Sequence, residues 1–387
     1  MNRTHVIVVG GGYAGTMAAN HLLVRPDIDV TLVNPRPAFV ERIRLHQHVA
    51  GTYRADRDYG DLLGDGVRLL IDSAARIDPT DRRIRLASGT VLRYDYLIYA
   101  VGSTGAITTA VPGAAEFGYA IAEFEQAQRL QARLDQLGPD APVTVVGGGL
   151  TGIEAASELA GQGRAVTLVC GGVLGPSLGE PGRRSVAKAL RKLGVEVLEA
   201  ATVAEVRAAA VVLADGAVLP SAVTVWTAGF GVPDLAAASG LATDPLGRLL
   251  TDETLTSVDN PWIVAAGDAV APSDRPLRMS CQAAIPLGAQ AADTVLARVA
   301  GSSPEPLNQA FTGQCISIGR HAATVQLSRR DDTPVKAFVG GRIAAAIKET
   351  ICKATVWGIR REGAKPGSYR WLKGGTRAAS TEQEAAV

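Results

Sequence analysis

One pattern in this chain is written twice. Residues 5–19 read HVIVVGGGYAGTMAA, and residues 142–156 read PVTVVGGGLTGIEAA. Each copy begins with an apolar, β-branched run, the signature of a strand buried on both faces of a parallel sheet. A Gly-x-Gly-x-x-Gly turn follows, and a helical stretch opens from it. In such a turn the first glycine permits the bend, the second lets backbone approach a pyrophosphate, and the third lets helix pack on strand. The first-turn N–H groups and the helix dipole then face the phosphates. Two copies mean either two nucleotides or a duplicated scaffold with one silent copy. Both readings predict an α/β chain built on parallel sheets.

The 387 residues exceed what one compact core organises, so two or three domains are expected. A hydrophobic share of 47% with 20% charged residues belongs to a globular chain. Net charge is +1, which gives no pull toward nucleic acid. The balance is uneven, however: residues 320–377 hold 13 Lys and Arg against 4 Asp and Glu, so a basic module sits on an acidic body. The cysteines, Cys170, Cys281, Cys315 and Cys352, have no zinc-like spacing, and no metal site is expected. The first strand begins at once, so no signal peptide is expected. No run of about 18 apolar residues predicts a membrane span. The expectation is a cytoplasmic protein with reduced thiols.

Between and after the two copies, three more strand-like runs end in small residues: YDYLIYAVGSTG (94–105), AVTVWTAGF (222–230) and LTSVDNPWIVAAGDAVA (255–271). The strand after the first copy, DVTLVN (29–34), ends in Asn34 where an acid usually binds the ribose hydroxyls. An amide can still serve that role; the alternative is a turn residue before Pro35.

This order of motifs, over roughly residues 4–325, resembles the two-dinucleotide-binding-domain flavoproteins of the pyridine nucleotide–disulfide oxidoreductase superfamily. Within it the chain looks most like type II NADH dehydrogenases and apoptosis-inducing-factor-like flavoproteins. The resemblance implies an α/β fold with two Rossmann-like domains, the second inserted in the first. Residues 1–110 and 232–300 would bind FAD, residues 111–231 would bind NADH or NADPH, and 301–387 would form a small α+β C-terminal domain. It implies FAD contacts at Gly10, Gly12, Tyr13, Ala14, Gly15, Asn34 and Arg42, and an adenine contact from the Ala75 backbone. Further FAD contacts fall at Ala100, Val101, Gly102, Gln282 and Ala283, with Gly267 and Asp268 on the ribityl chain. The second nucleotide falls to Gly147, Gly149, Leu150, Thr151, Gly152, Cys170 and Gly229. Catalytic roles pass to Glu154 near nicotinamide and flavin, to Lys348, and to His46 near the flavin ring. For each a bland reading stands beside it: a solvated first-turn acid, a solvated helix lysine, a packed histidine. The implied activity is hydride transfer from nicotinamide to flavin, then electron transfer to a quinone or another small-molecule acceptor. A soluble electron-transfer protein as acceptor, or a redox-responsive flavoprotein with little turnover, are the alternatives.

Three features depart from the family pattern. Residues 36–52 hold no cysteine pair, so disulfide reduction by that route is excluded. The second Rossmann strand, AVTLV, ends in Cys170 where NADH enzymes usually carry Glu; Arg183 and Arg184 are either 2′-phosphate ligands or helix-surface charges. The stretch CQAAIPLG (281–288) keeps Gln282, Ala284 and Gly288 of the quinone-side motif but has Pro286 and Leu287 in place of two glutamines. Pro286 predicts a kink or an early break in the helix that starts near Ser280. Cys281 and Cys315 invite a sulfide-oxidising reading; single buried cysteines are commoner.

At the C-terminus, residues 342–361 read as an amphipathic helix with Ile343, Ile347, Ile351 and Ala354 on one stripe. Trp357, Tyr369 and Trp371 lie among Arg360, Arg361, Lys365, Arg370 and Lys373. That segment suits docking on an anionic membrane surface at the inner face of the cell membrane. Packing on the body and a homodimer contact are the other readings. Residues 376–387 read as a frayed tail.

Overall fold

The computed structural model describes residues 3–105 and 109–374; the tail predicted at 376–387 lies outside them. The first copy of the repeated pattern is β1 (Thr4–Val9), then α1 (Tyr13–Leu22) and β2 (Ile28–Asn34). A short helix α2 (Leu45–Val49) precedes β3 (Val67–Ile71) and β4 (Tyr96–Tyr99). β1 is central: it pairs in parallel with β2 on one side and β4 on the other. β3 extends the sheet beyond β2, and the distant strand Ile263–Ala265 closes it against β4. A strand from residue 263 thus completes a sheet begun at residue 4. Val6, Val8, Leu32 and Ile98 are all fully buried, as the continuous apolar runs require.

The second copy repeats the design. β5 (Gly118–Ala120), β6 (Val143–Val146), α3 (Leu150–Gly161), β7 (Val166–Val169), β8 (Glu196–Leu198) and β9 (Val223–Trp226) form a second parallel sheet in the order β5-β9-β6-β7-β8. Again the strand that leads into the glycine turn is central, with β7 and β9 at its flanks.

The remaining elements join the two halves. α4 (Cys281–Val299) packs on α1. β10 (Gly313–Ile318), β11 (Ala322–Ser328) and β12 (Pro334–Gly340) make an antiparallel sheet, and α5 (Gly341–Ala364) lies on it and on α1.

α4 runs unbroken through Pro286, contrary to the expected kink or break. Proline removes the N–H that would have bonded the Gln282 carbonyl. The Gln309 side chain replaces it, donating from Nε2 to that carbonyl at 3.1 Å.

Candidate active site

The two glycine turns are built alike. A β-carbon at Gly10 would sit 2.3 Å from the Ala100 carbonyl oxygen, and one at Gly15 only 1.8 Å from the Gly10 oxygen. In the second turn a β-carbon at Gly152 would sit 1.9 Å from the Gly147 oxygen. These glycines are demanded by the protein's own backbone. The middle ones are not: a β-carbon at Gly12 or at Gly149 would meet nothing within 4 Å. Chain packing alone therefore leaves those two positions open, as a pyrophosphate lying against them requires.

One cavity of about 1000 Å³ reaches both turns. Gly12, Tyr13 and Ala14 line it at the start of α1, and Leu150, Thr151 and Glu154 at the start of α3. Along one wall runs a hydrogen-bonded chain. Arg42 Nη1 donates to Ser103 Oγ at 3.1 Å, and Ser103 Oγ donates to Asp268 Oδ2 at 2.7 Å. Gly102 and Gly267 flank it. Ser103 was absent from the sequence expectations; its signal was the hydroxyl directly after the small-residue loop. The N-terminus of α4 also opens here, with Ser280 Oγ capping Ala283 N at 3.3 Å. A 19-residue helix thus turns its positive end toward the cavity.

At the far end Glu154 is buried, against its reading as a solvated acid. Lys348 reaches it from α5, Nζ to Oε1, at 2.5 Å, and also donates to the Cys315 carbonyl at 3.0 Å. The Ser317 N–H donates to the same carboxylate oxygen at 2.9 Å. His46 Nδ1 stands 3.6 Å from Glu154 Oε2. Lys348 is hence no solvated helix lysine. Burial works against charge on Glu154 and Lys348, but each holds the other ionised: the carboxyl lies below its usual range and the ammonium above. Burial dominates at His46 and lowers it to about 4, so its imidazole is neutral at physiological pH. Its Nε2 is buried without a partner among the described residues.

Gln282 and Ala100 line the cavity too, while Gly10 and Gly15 pack behind it. Val101, Ala283, Gly147, Gly149, Gly152 and Cys170 are not part of its wall, and Gly229 lies beside it with Phe230. Asn34 is turned to the backbone: Oδ1 accepts from Gly11 N at 2.9 Å and Nδ2 donates to the Arg36 carbonyl at 2.8 Å. The amide thus already serves as a turn tie. Ala75 is exposed on a bulged strand of a separate antiparallel sheet.

Cys281, Cys315 and Cys352 all line the cavity. Burial pushes each thiol up, Cys281 to about 11, which disfavours thiolate chemistry. Across the mouth lies the segment Tyr369–Leu372, with Tyr369 and Trp371 stacked at 6.0 Å. Among the described residues no cluster of ligands suits a metal ion, and no helix is long and apolar enough to cross a membrane.

Residues 4–288 match the family model described as pyridine nucleotide-disulphide oxidoreductase. An NADH dehydrogenase-like protein of Mycobacterium tuberculosis is 35% identical over 323 residues, 76% of this chain and 80% of its own length. The type II NADH:quinone oxidoreductase of the same organism is 26% identical over 379 residues, 84% of this chain and 80% of its own. Among solved structures, that of NDH2 from Plasmodium falciparum in complex with NADH superposes with a TM-score of 0.79 at 16% identity, covering 94% of this chain and 97% of that one.

Proposed function

The chain belongs to the pyridine nucleotide-disulphide oxidoreductase family, and on that premise we propose that it oxidises NADH or NADPH and reduces a quinone drawn from a membrane surface. It is a flavoprotein oxidoreductase of the NADH dehydrogenase type, with FAD and a nicotinamide nucleotide as cofactors. The observation that carries the reading is the single cavity onto which both glycine turns open, ending at Glu154, Lys348 and His46.

The residues present fit FAD. Gly12 leaves room for its pyrophosphate, and Arg42 adds a positive charge. Asp268, steadied by Ser103, offers a carboxylate for ribityl hydroxyls. When bound, FAD supplies a ring that takes hydride and passes electrons on. The protein's own part is position and electrostatics. The positive end of α4 and Lys348 favour negative charge in the middle of the cavity. Gly149, Leu150 and Thr151 would hold the second pyrophosphate, which places a nicotinamide toward Glu154. Lys348 keeps a proton within reach of an acceptor, and neutral His46 offers Nε2 as a further hydrogen-bonding atom. In domain terms, 1–110 with 232–300 would carry FAD, 111–231 the second nucleotide, and 301–387 the acceptor side.

The membrane surface is supported by α5. Most of its apolar stripe faces outward: Ile343 is 69% exposed and Ile351 41%, with Trp357 nearby at 58%, while Ile347 packs against Ala323 and Val325. Arg342, Lys353, Arg360, Arg361 and Lys365 are exposed along the same helix or just past its end. Ile351, Ala354 and Leu372 belong both to this surface and to the cavity mouth, so an apolar acceptor could pass from lipid to cavity without crossing water. Stopped-flow reduction by NADH and by NADPH, followed by mixing with quinones of short and long chain, tests the reading. Rapid re-oxidation by quinone is expected, together with salt-sensitive co-sedimentation on anionic vesicles that Ile351→Glu weakens. A protein that ignores quinone but reacts with a soluble electron carrier overturns the acceptor. One that ignores vesicles and elutes as a dimer broken by Ile351→Glu assigns the stripe to self-association.

A further inference from the structure

Lys348 stands between two cavities. Behind the site, on the side away from the glycine turns, lies a second chamber of about 230 Å³. Its walls come from α2 and the turn before it (Arg44, Gln47), from the β10–β11 hairpin (Ser317, Arg320), and from α5 (Ala346, Glu349). Ile43, Lys348 and Cys352 are common to both cavities. The volume suffices for several water molecules, and the lining is polar enough to hold them. At the rim Arg320 and Ala346 are exposed to solvent. On the inner wall Arg44 and Glu349 are locked in a two-pronged ion pair at 2.9 and 3.0 Å.

The geometry of Lys348 adds a second observation. An ammonium carries three N–H donors. Two go to Glu154 Oε1 and the Cys315 carbonyl, and the third has no acceptor among the described residues.

We propose that the small chamber is a proton entry, separate from the substrate cavity, through which water recharges Lys348 after it has protonated the acceptor. The inference rests on the quinone reading. Reducing a quinone to its quinol takes two electrons and two protons. NAD(P)H delivers both electrons and one proton as hydride, so one further proton per turnover comes from solvent. With nucleotide and acceptor filling the large cavity, that proton needs another way in. In the step itself an N–H bond of Lys348 breaks as the second O–H bond of the quinol forms. The neutral amine, left beside ionised Glu154, then takes a proton from chamber water. Glu154 makes Lys348 reluctant to give its proton to a neutral acceptor. It yields to one already carrying negative charge from electron transfer, which times protonation after reduction.

The test is a plug at the rim. Ala346→Phe, with Ala346→Leu as a milder plug and Ala346→Ser as an open control, is made in the FAD-loaded protein. Reduction by NADH, and turnover with ferricyanide, which takes up no proton, are expected to match the parent. Turnover with quinone is expected to fall on the order of tenfold, within the range for lost proton transfer. Crystal structures supply an independent readout: ordered water on Lys348 Nζ in the parent and Ala346→Ser, and none in the plugged variants. Quinone turnover untouched by the plugs, an equal fall with both acceptors, or a dry chamber in the parent overturns the inference. A parent with no quinone turnover at all overturns the acceptor reading, and this inference with it.

Discussion

His21 sits in α1 with 7% of its side chain exposed and touches two carboxylates. Its Nδ1 lies 2.7 Å from Glu362 Oε1 on α5, and its Nε2 lies 2.9 Å from Asp293 Oδ1 on α4. Glu362 is fully buried and also accepts from the backbone N–H groups of Gly367 and Tyr369, each at 2.6 Å. One imidazolium therefore ties three helices together and, through Glu362, anchors the segment that crosses the cavity mouth. Burial opposes the charge, but the two carboxylates outweigh it and raise His21 from 6.5 to about 9. A raised cationic pKa stabilises the fold fully below the unfolded value and ceases to do so as pH climbs through the folded value. The window here runs from about pH 6.5 to 9. At about 1.4 kcal/mol per unit the whole shift is worth about 3 kcal/mol. That is an upper bound, because Asp293 is 48% exposed and solvent screens its share. In urea titrations of the parent and His21→Gln, the stability gap is expected to be about 2–3 kcal/mol at pH 6 and to shrink toward zero by pH 10. Trypsin is expected to cut faster after Arg370 and Lys373 in the variant at pH 7, since the anchor of that segment is weakened. A gap that stays constant with pH would refute the charged latch and leave only packing.

Four other substitutions probe the site. Gly12→Ala is expected to fold normally yet lose most FAD, while Gly15→Ala, whose methyl would meet the Gly10 carbonyl, is expected to fail at folding; thermal melts and bound-flavin absorbance separate the two. Glu154→Gln leaves Lys348 buried without its counter-charge and is expected to cost about 3 kcal/mol at pH 7 by denaturation, unless Lys348 relaxes to solvent, which its contact with the Cys315 carbonyl argues against. Cys170→Glu supplies the missing acid at the end of β7 and is expected to shift the ratio of NADPH to NADH dissociation constants on the order of tenfold toward NADH, the worth of one charge-assisted hydrogen bond; an unchanged ratio would mean that another residue reads the ribose.

What the sequence displayed and what it hid divide along a physical line. The strand–turn–helix units were legible because their demands are local. A buried parallel strand must be apolar on both faces, and Gly15 and Gly152 answer clashes with Gly10 and Gly147 inside their own turns, although Gly10 and Gly147 themselves answer Ala100 and Thr227 on a neighbouring strand end. Asn34 shows where local reasoning leaves two roles open. Its type suits a ribose and equally a turn, and its amide ties Gly11 and Arg36 while keeping a second N–H and a second lone pair. The acceptor end was legible only as separate residues, because Glu154, Lys348 and His46 come from three helices and converge through sheet and helix packing. Nothing in the spacing of residues 154 and 348 announces a 2.5 Å contact. The α5 stripe carries the same lesson in reverse. A helical period of isoleucines normally signals a face turned to the core, but here the core side is held by Ala344, Cys352, Ile359 and Glu362; of the stripe only Ile347 packs inward, and Ile343 and Ile351 point outward. Periodicity reports that a helix has an apolar face; only the competing face decides which one is buried. Since Glu362 and Lys348 need burial to meet His21 and Glu154, the charged contacts of α5 orient the helix. They leave its apolar stripe beside the mouth of the cavity, which ties the exposure of that stripe to the chemistry behind it.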